Sequence, residues 1–421
     1  MKENRDKINR RNFLKTVGAA GLGSVLASVD TIAGPDKPKV AGSDAREKEQ
    51  KPEFPQVPRR KLGKTGVEVP CLSLGGAFDI MENQILLTKS LQYGVNLWDT
   101  ADSYEGGNSE LGIGKFFKKN PDTRKQVFIV TKALGTKSTK DLEEHLQASL
   151  KKMNTDYVDL YYIMDRVRHD HGLSDPSQLT DDLKQWVKSA KKRKVIRFFG
   201  FSTHKNMARC LSAASKLGWI DAIMTSYNFR LMQDAKMQAA VEACHKAGVG
   251  LIAMKTQAHG IKTEADKKLA GHFLQRGFTE AQAKIKVVLE DKRISTACSR
   301  MDNVSLLTSN VAAVLDKTKL TEADKAVFSE YARATCNGYR AGCANICDSA
   351  VPDMAYVCEV MRYLMYYNSY GEQEQAKELF AQIPGKARNK MLNTDYSSAE
   401  ARCPQHLPIA KLIAEAVGKL A

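Results

Sequence analysis

Eight short apolar runs, each followed by a stretch with helical periodicity, recur between residues 71 and 315. The runs fall at 71–75, 96–100, 127–132, 158–163, 197–202, 222–227, 250–254 and 294–299. After the third run, Leu142, Leu146, Leu150 and Met153 repeat at the spacing of one helix face, and the helical pattern over 235–247 stops at Gly248. The segment 60–69, with turn chemistry at Gly63 and Gly66, predicts an opening hairpin. Such spacing suits right-handed βαβ units with short connections. Eight units in about 250 residues is the stoichiometry of a closed (β/α)8 barrel. The rival, a doubly wound open sheet, carries Gly-x-Gly-x-x-Gly after its first strand. No such run follows 71–75, and Gly18, Gly21 and Gly23 lie far upstream. At Thr321-Glu322-Ala323-Asp324 a helix-start signature appears and strand patterns end. The expected architecture is therefore a barrel over 59–320 and an all-helical domain over 321–421.

Composition narrows the function classes. Of 421 residues, 43% are hydrophobic and 27% charged, which excludes wholesale disorder, collagen-like repeats and a disulfide-dense miniprotein. No apolar run reaches the ~20 residues of a membrane span. The formal charge is +16, yet Lys and Arg are dispersed. The densest group, Lys191-Lys192-Arg193-Lys194, ends a predicted helix, where cations complement the dipole. A solvated basic surface accounts for the charge, and nucleic acid is not expected as a partner. Residues 1–34 contain Arg10-Arg11-Asn12-Phe13-Leu14-Lys15 and then a mild Gly/Ala-rich apolar stretch over 17–29. This resembles a twin-arginine export signal, with Asn12 following the arginine pair. The resemblance implies the export machinery as a partner, a bacterial periplasmic location, and membrane attachment only through an uncleaved signal. That route carries folded proteins, often with a cofactor inside. Residues 35–58 hold five of the 12 prolines and read as a disordered, extended tether.

Reactive residues of a barrel sit where strands end. The second strand ends in Asp99-Thr100-Ala101-Asp102-Ser103-Tyr104 and the third in Val130-Thr131-Lys132. An acid, a phenol and an amine at neighbouring strand ends form a coherent set. A phenol with pKa near 10 is a poor proton donor at neutral pH, whereas a nearby ammonium stabilises phenolate and an acid orients the ammonium.

These runs resemble the aldo/keto reductase family. So do Gly107-Asn108-Ser109-Glu110, Asp159-Leu160-Tyr161-Tyr162, Gly200-Phe201-Ser202-Thr203-His204, Tyr227-Asn228 and the opening Arg60-Lys61-Leu62-Gly63-Lys64-Thr65-Gly66. The resemblance spans roughly 58–315, and order and spacing carry it more than any single run. It implies hydride transfer between NADP(H) and a carbonyl or alcohol, with Tyr104 as general acid supported by Lys132 and Asp99. The family's fourth member, a His after the fourth strand, is replaced by Met164. His169 and His171 follow shortly. Either His171 returns to the site through a short insertion, or the set lacks one member. Met offers no hydrogen bond to a substrate oxygen. The resemblance further implies cofactor contacts from Ser202, Tyr227, Asn228, Ser299, Arg300 and Asn310, with Thr203 in place of a usual Asn and Lys255 as a further basic group. A small carbonyl or sugar-like substrate follows by analogy.

The tail holds five of the nine cysteines: Cys336, Cys343, Cys347, Cys358 and Cys403. Cys336 to Pro352 and Arg402-Cys403-Pro404 resemble a degenerate ferredoxin-type extension. Val351-Pro352 stands where a Cys-Pro is usual, and Arg340 precedes Cys343 by three. Two iron–sulfur clusters are excluded by count. One cluster on Cys336, Cys343, Cys347 and Cys403 remains open, beside a helical domain that has lost its metal, or disulfides in an oxidising compartment. Met164 and the eroded cysteines keep a second function class open: a catalytically inactive cofactor-binding or electron-transfer partner.

Overall fold

The computed structural model describes residues 54–164, 172–257, 263–354 and 356–421. The export-signal segment 1–34, tether positions 35–53, His169 and His171 lie outside the described residues. Residues 54–421 form one compact unit.

The hairpin pairs β1 (Arg59–Lys61) with β2 (Glu68–Pro70) antiparallel. Its turn needs positive φ at Gly63, and a Cβ there would lie 2.3 Å from the Gly248 carbonyl oxygen. Eight parallel strands follow: β3 (Leu72–Gly75), β4 (Leu97–Asp99), β5 (Phe128–Ala133), β6 (Val158–Ile163), β7 (Ile196–Thr203), β8 (Ala222–Ser226), β9 (Gly250–Met254) and β10 (Thr296–Arg300). They close in the order β10-β3-β4-β5-β6-β7-β8-β9, with helices between consecutive strands. The open-sheet alternative is thereby excluded.

Every strand is two-faced. Leu97, Phe128, Val130, Leu160, Tyr162, Ala222, Met224, Ile252 and Cys298 fill the barrel interior, where Leu62 and Val69 of the hairpin segment join them. Their chain neighbours Trp98, Ile129, Tyr161, Ile163, Ile223 and Leu251 belong to the outer core against the helices. This period-two alternation decides which strand-end side chains face inward at the C-terminal mouth.

The extension is helical, as expected. Its first helix, Glu322–Ala334, starts at a capping box in which Thr321 and Asp324 exchange hydrogen bonds. Helices Ala344–Ala350, Val357–Met365, Gln373–Ala381, Ser397–Arg402 and Ile409–Leu420 follow. Its core is continuous with the outer core of the barrel: Phe229 stacks on Phe328 at 5.0 Å, and Phe273 packs on Phe328 at 4.8 Å. No helix among the described residues is long and apolar enough to cross a membrane.

Candidate active site

Alternation puts Asp99 in line with inward-facing Leu97, and Lys132 in line with Phe128 and Val130. The β4–β5 register, Asp99 opposite Val130, sets the two side chains at the same end of the barrel. Both are almost fully buried, at 4% and 2% exposure. Lys132 Nζ lies 2.6 Å from Asp99 Oδ1. It also donates to the Thr100 carbonyl at 2.7 Å and to the Tyr104 hydroxyl oxygen at 3.2 Å. An ammonium has three protons, and here each has an acceptor. The Tyr104 oxygen therefore accepts from Lys132 and keeps its own proton to donate elsewhere.

Tyr104 is held from below. It opens a short turn, Tyr104–Gly107, after β4. Within that loop Asp102 binds His145 Nδ1 at 2.5 Å and accepts from the Leu134 amide at 3.3 Å. The Asp102 amide donates to the Lys132 carbonyl at 3.1 Å. These bonds tie the Tyr104 loop to β5 and to helix Thr139–Lys152.

Electrostatics correct one expectation. Burial is the largest influence on the Tyr104 phenol and pushes its pKa up; the Lys132 charge pulls it down but only in part, and Asp99 opposes that pull. For Lys132, burial works against the charged form, but the Asp99 carboxylate and Tyr104 outweigh it and hold the amine well above the usual range. The ammonium stays charged, and the phenol stays protonated until a partner reaches it.

Parity also separates the other predicted positions. Ser202 faces inward with Phe198 near the end of β7 and is 1% exposed. Arg300 ends β10 at the mouth, half exposed, 3.1 Å from Asp302. Asn228 is buried and donates to the Lys255 carbonyl at 3.2 Å and to the Tyr339 hydroxyl at 2.8 Å. Tyr227, Ser299 and Asn310 have partners of their own. Tyr227 follows inward Ser226, so its ring belongs to the outer core, and its hydroxyl lies 2.6 Å from Asp291 and 2.9 Å from Gln238. Gln238, Asp291 and Arg293 border a cavity of about 440 Å³ on this flank, away from Tyr104. Ser299 follows inward Cys298 and receives a 3.1 Å hydrogen bond from Asn310 on helix Val304–Leu315. Met164 is 1% exposed at the end of β6.

The extension supplies residues that strand patterns do not reveal. Glu359 forms a buried ion pair with Lys205 just past β7. Arg362 donates to the His204 carbonyl at 2.8 Å, and Tyr366 accepts from Lys255 at 2.6 Å just past β9. The extension thus packs on the strand ends of β7 to β9.

The cysteine expectation is corrected as well. Arg340, 6% exposed, aims its guanidinium at Cys343 Sγ (3.4 Å) and Cys347 Sγ (3.6 Å). Cys358 is the largest favourable influence on that guanidinium, although it was absent from the four-cysteine set. A cation sits among the sulfurs where a cluster would need space. Among the described residues no group of three or more His, Cys, Asp or Glu is placed to hold a metal ion, and all nine cysteines are free thiols.

A family model described as "Aldo/keto reductase family" matches residues 73–322. Among solved structures, a thermostable aldo-keto reductase in complex with the inhibitor epalrestat is 25% identical with a TM-score of 0.54, covering 65% of this chain and 100% of that one. The holo form of an aldo-keto reductase from Bacillus halodurans is 20% identical with a TM-score of 0.55, covering 66% and 96%. In both, the match covers nearly all of the other chain and about two thirds of this one.

Proposed function

This chain belongs to the aldo/keto reductase family, and from that premise we propose that it exchanges hydride between a nicotinamide dinucleotide, NADP(H) or NAD(H), and a small carbonyl or alcohol, with Tyr104 exchanging the proton. One observation carries the reading: Lys132 spends its three protons on Asp99, Thr100 and Tyr104, all at the barrel mouth. The donor set at the mouth fits a dinucleotide: Ser202 is a small inward polar group at β7, and Lys255 and Arg300 are cations beside β9 and β10. Ser202 would hold the carboxamide end, and Lys255 and Arg300 the phosphates. The bound nicotinamide supplies or takes the hydride at its ring carbon.

The chain's own groups handle the proton. Tyr104 donates its hydroxyl proton to the carbonyl oxygen as negative charge builds there. The phenolate left behind is 3.2 Å from an ammonium that Asp99 keeps fixed and charged. In the reverse direction the same phenolate takes the alcohol proton. Met164 offers no donor to the substrate oxygen, so orientation falls on Tyr104 alone or on His171. The second reading, an inactive cofactor-binding partner, is favoured by Met164 and by the hold of Tyr339 on Asn228. A sugar-like substrate and export under the direction of residues 1–34 belong to the proposal, with the dinucleotide loaded before export. The test is to purify the full chain, assay it for bound nicotinamide, and follow NADPH and NADH oxidation over a carbonyl panel. Turnover supports the enzyme; bound dinucleotide without turnover supports the partner reading; neither removes both.

A further inference from the structure

The seventh and eighth strands of a (β/α)8 barrel, with the start of a following helix, commonly build its phosphate site. In this chain those strands are β9 and β10, adjacent in the closed sheet. Lys255 follows β9 with φ +54°, and Arg300 ends β10. Helix Val304–Leu315 begins just beyond, capped by Asn303. Two cations and a helix N-terminus therefore meet at one end of the mouth.

The extension brings an acid to the same place. Tyr366–Tyr370 is a turn of π-helix, a form that recurs at functional positions, and Gly371 closes it with φ +74°. Tyr366 accepts from Lys255 Nζ at 2.6 Å, and that nitrogen also lies 4.4 Å from the Tyr366 ring centroid and 5.7 Å from that of Tyr370. Next in the chain, Glu372 Oε1 lies 3.9 Å from Arg300 NH1. The Glu372 carbonyl accepts from the Ala376 amide at 3.0 Å, so the residue is fixed at the start of helix Gln373–Ala381. Burial is the largest influence on its carboxyl and raises its pKa, and the Lys255 and Arg300 charges pull it back only in part.

We propose that Glu372 is a specificity-determining residue: its carboxylate offsets one of the two cations at the phosphate end of the mouth and disfavours a dinucleotide that carries the additional 2′-phosphate. This rests on the nicotinamide reading above and narrows it to NAD(H). Asp302, 3.1 Å from Arg300, already offsets part of that cation, and Glu372 lowers further the positive charge that Lys255 and Arg300 offer the pyrophosphate. A 2′-phosphate adds up to two negative charges near a fixed carboxylate.

The test is the dissociation constant of NADH and of NADPH for the full-length protein, E372Q and Y366F. The wild type should bind NADH more tightly than NADPH. E372Q should tighten NADPH at least about fivefold, the scale of one unit charge at 4 Å in water, and tighten NADH less. Y366F, which removes a hydroxyl but no charge, should leave the NADH/NADPH ratio unmoved. An unchanged ratio in E372Q, or a wild type that prefers NADPH, overturns the inference. If neither dinucleotide binds to any variant, the nicotinamide reading fails separately. Inorganic pyrophosphate then decides the anion subsite: tighter binding to E372Q than to wild type upholds the carboxylate as a competitor of anions, and equal binding overturns it.

Discussion

Replacing Lys132 by Met tests the buried pair at the mouth. Asp99 is 4% exposed and 2.6 Å from the ammonium, so the variant strands a carboxylate in the barrel interior. Breaking a buried pair by removing one partner costs about 3–5 kcal/mol. The Tyr104 hydroxyl and the Thr100 carbonyl each lose their donor too. Asp99→Leu should be comparably costly, because it leaves the ammonium unpaired. The double variant Lys132→Met/Asp99→Leu removes both charges and should recover most of that loss, the Thr100 carbonyl left without its donor keeping it about 1–3 kcal/mol below the wild type. Turnover should stay lost in all three. Urea midpoints and slopes measure the first part, and a carbonyl assay the second. If Lys132→Met costs under about 1 kcal/mol, or the double variant is as unstable as the two singles summed, the two groups are not a coupled buried pair and the reasoning fails.

Two further outcomes follow from the same geometry. The hydrogen bond from His145 to Asp102 is the main cause that raises the imidazole pKa, with burial opposing it. That contribution should be complete below the unfolded value of about 6.5 and vanish as pH climbs through the higher folded value; His145→Gln should flatten this part of a stability–pH curve, and equal curves would refute it. Thiol reactivity should divide by burial: Cys358 and Cys244, whose thiols burial pushes up to about 12, should resist alkylation near neutral pH, while partly exposed Cys336 and Cys343 react first. Mass-spectrometric mapping under native conditions reads the order, and early labelling of Cys358 would contradict the packing described.

The strands were legible because alternation at period two and a shared strand–helix spacing are local properties. The bounds 158–163 and 250–254 coincide with β6 and β9. The meeting of Asp99, Tyr104 and Lys132 was legible because Asp99 and Lys132 sit near the ends of adjacent strands and Tyr104 in the loop that follows the first of them. Tyr227 and Ser299 were assigned from position along the strand, without parity. Counting from inward Met224 and Cys298 sends both toward the helices. The tail was opaque for a different reason. Glu359 on Lys205 and Glu372 beside Arg300 are contacts between residues distant in sequence, and no local period announces them. Arg340, three before Cys343, was a visible departure from the cysteine pattern; its meaning came only from where the guanidinium lies.

The central claim is that the Tyr104 hydroxyl, backed by Lys132, exchanges the substrate proton. Comparing kcat/KM for carbonyl reduction in wild type and Tyr104→Phe, with dinucleotide affinity measured alongside, addresses it most directly. The account predicts a loss of at least about a hundredfold with dinucleotide affinity unchanged. Turnover in the phenylalanine variant equal to that of the wild type would contradict it.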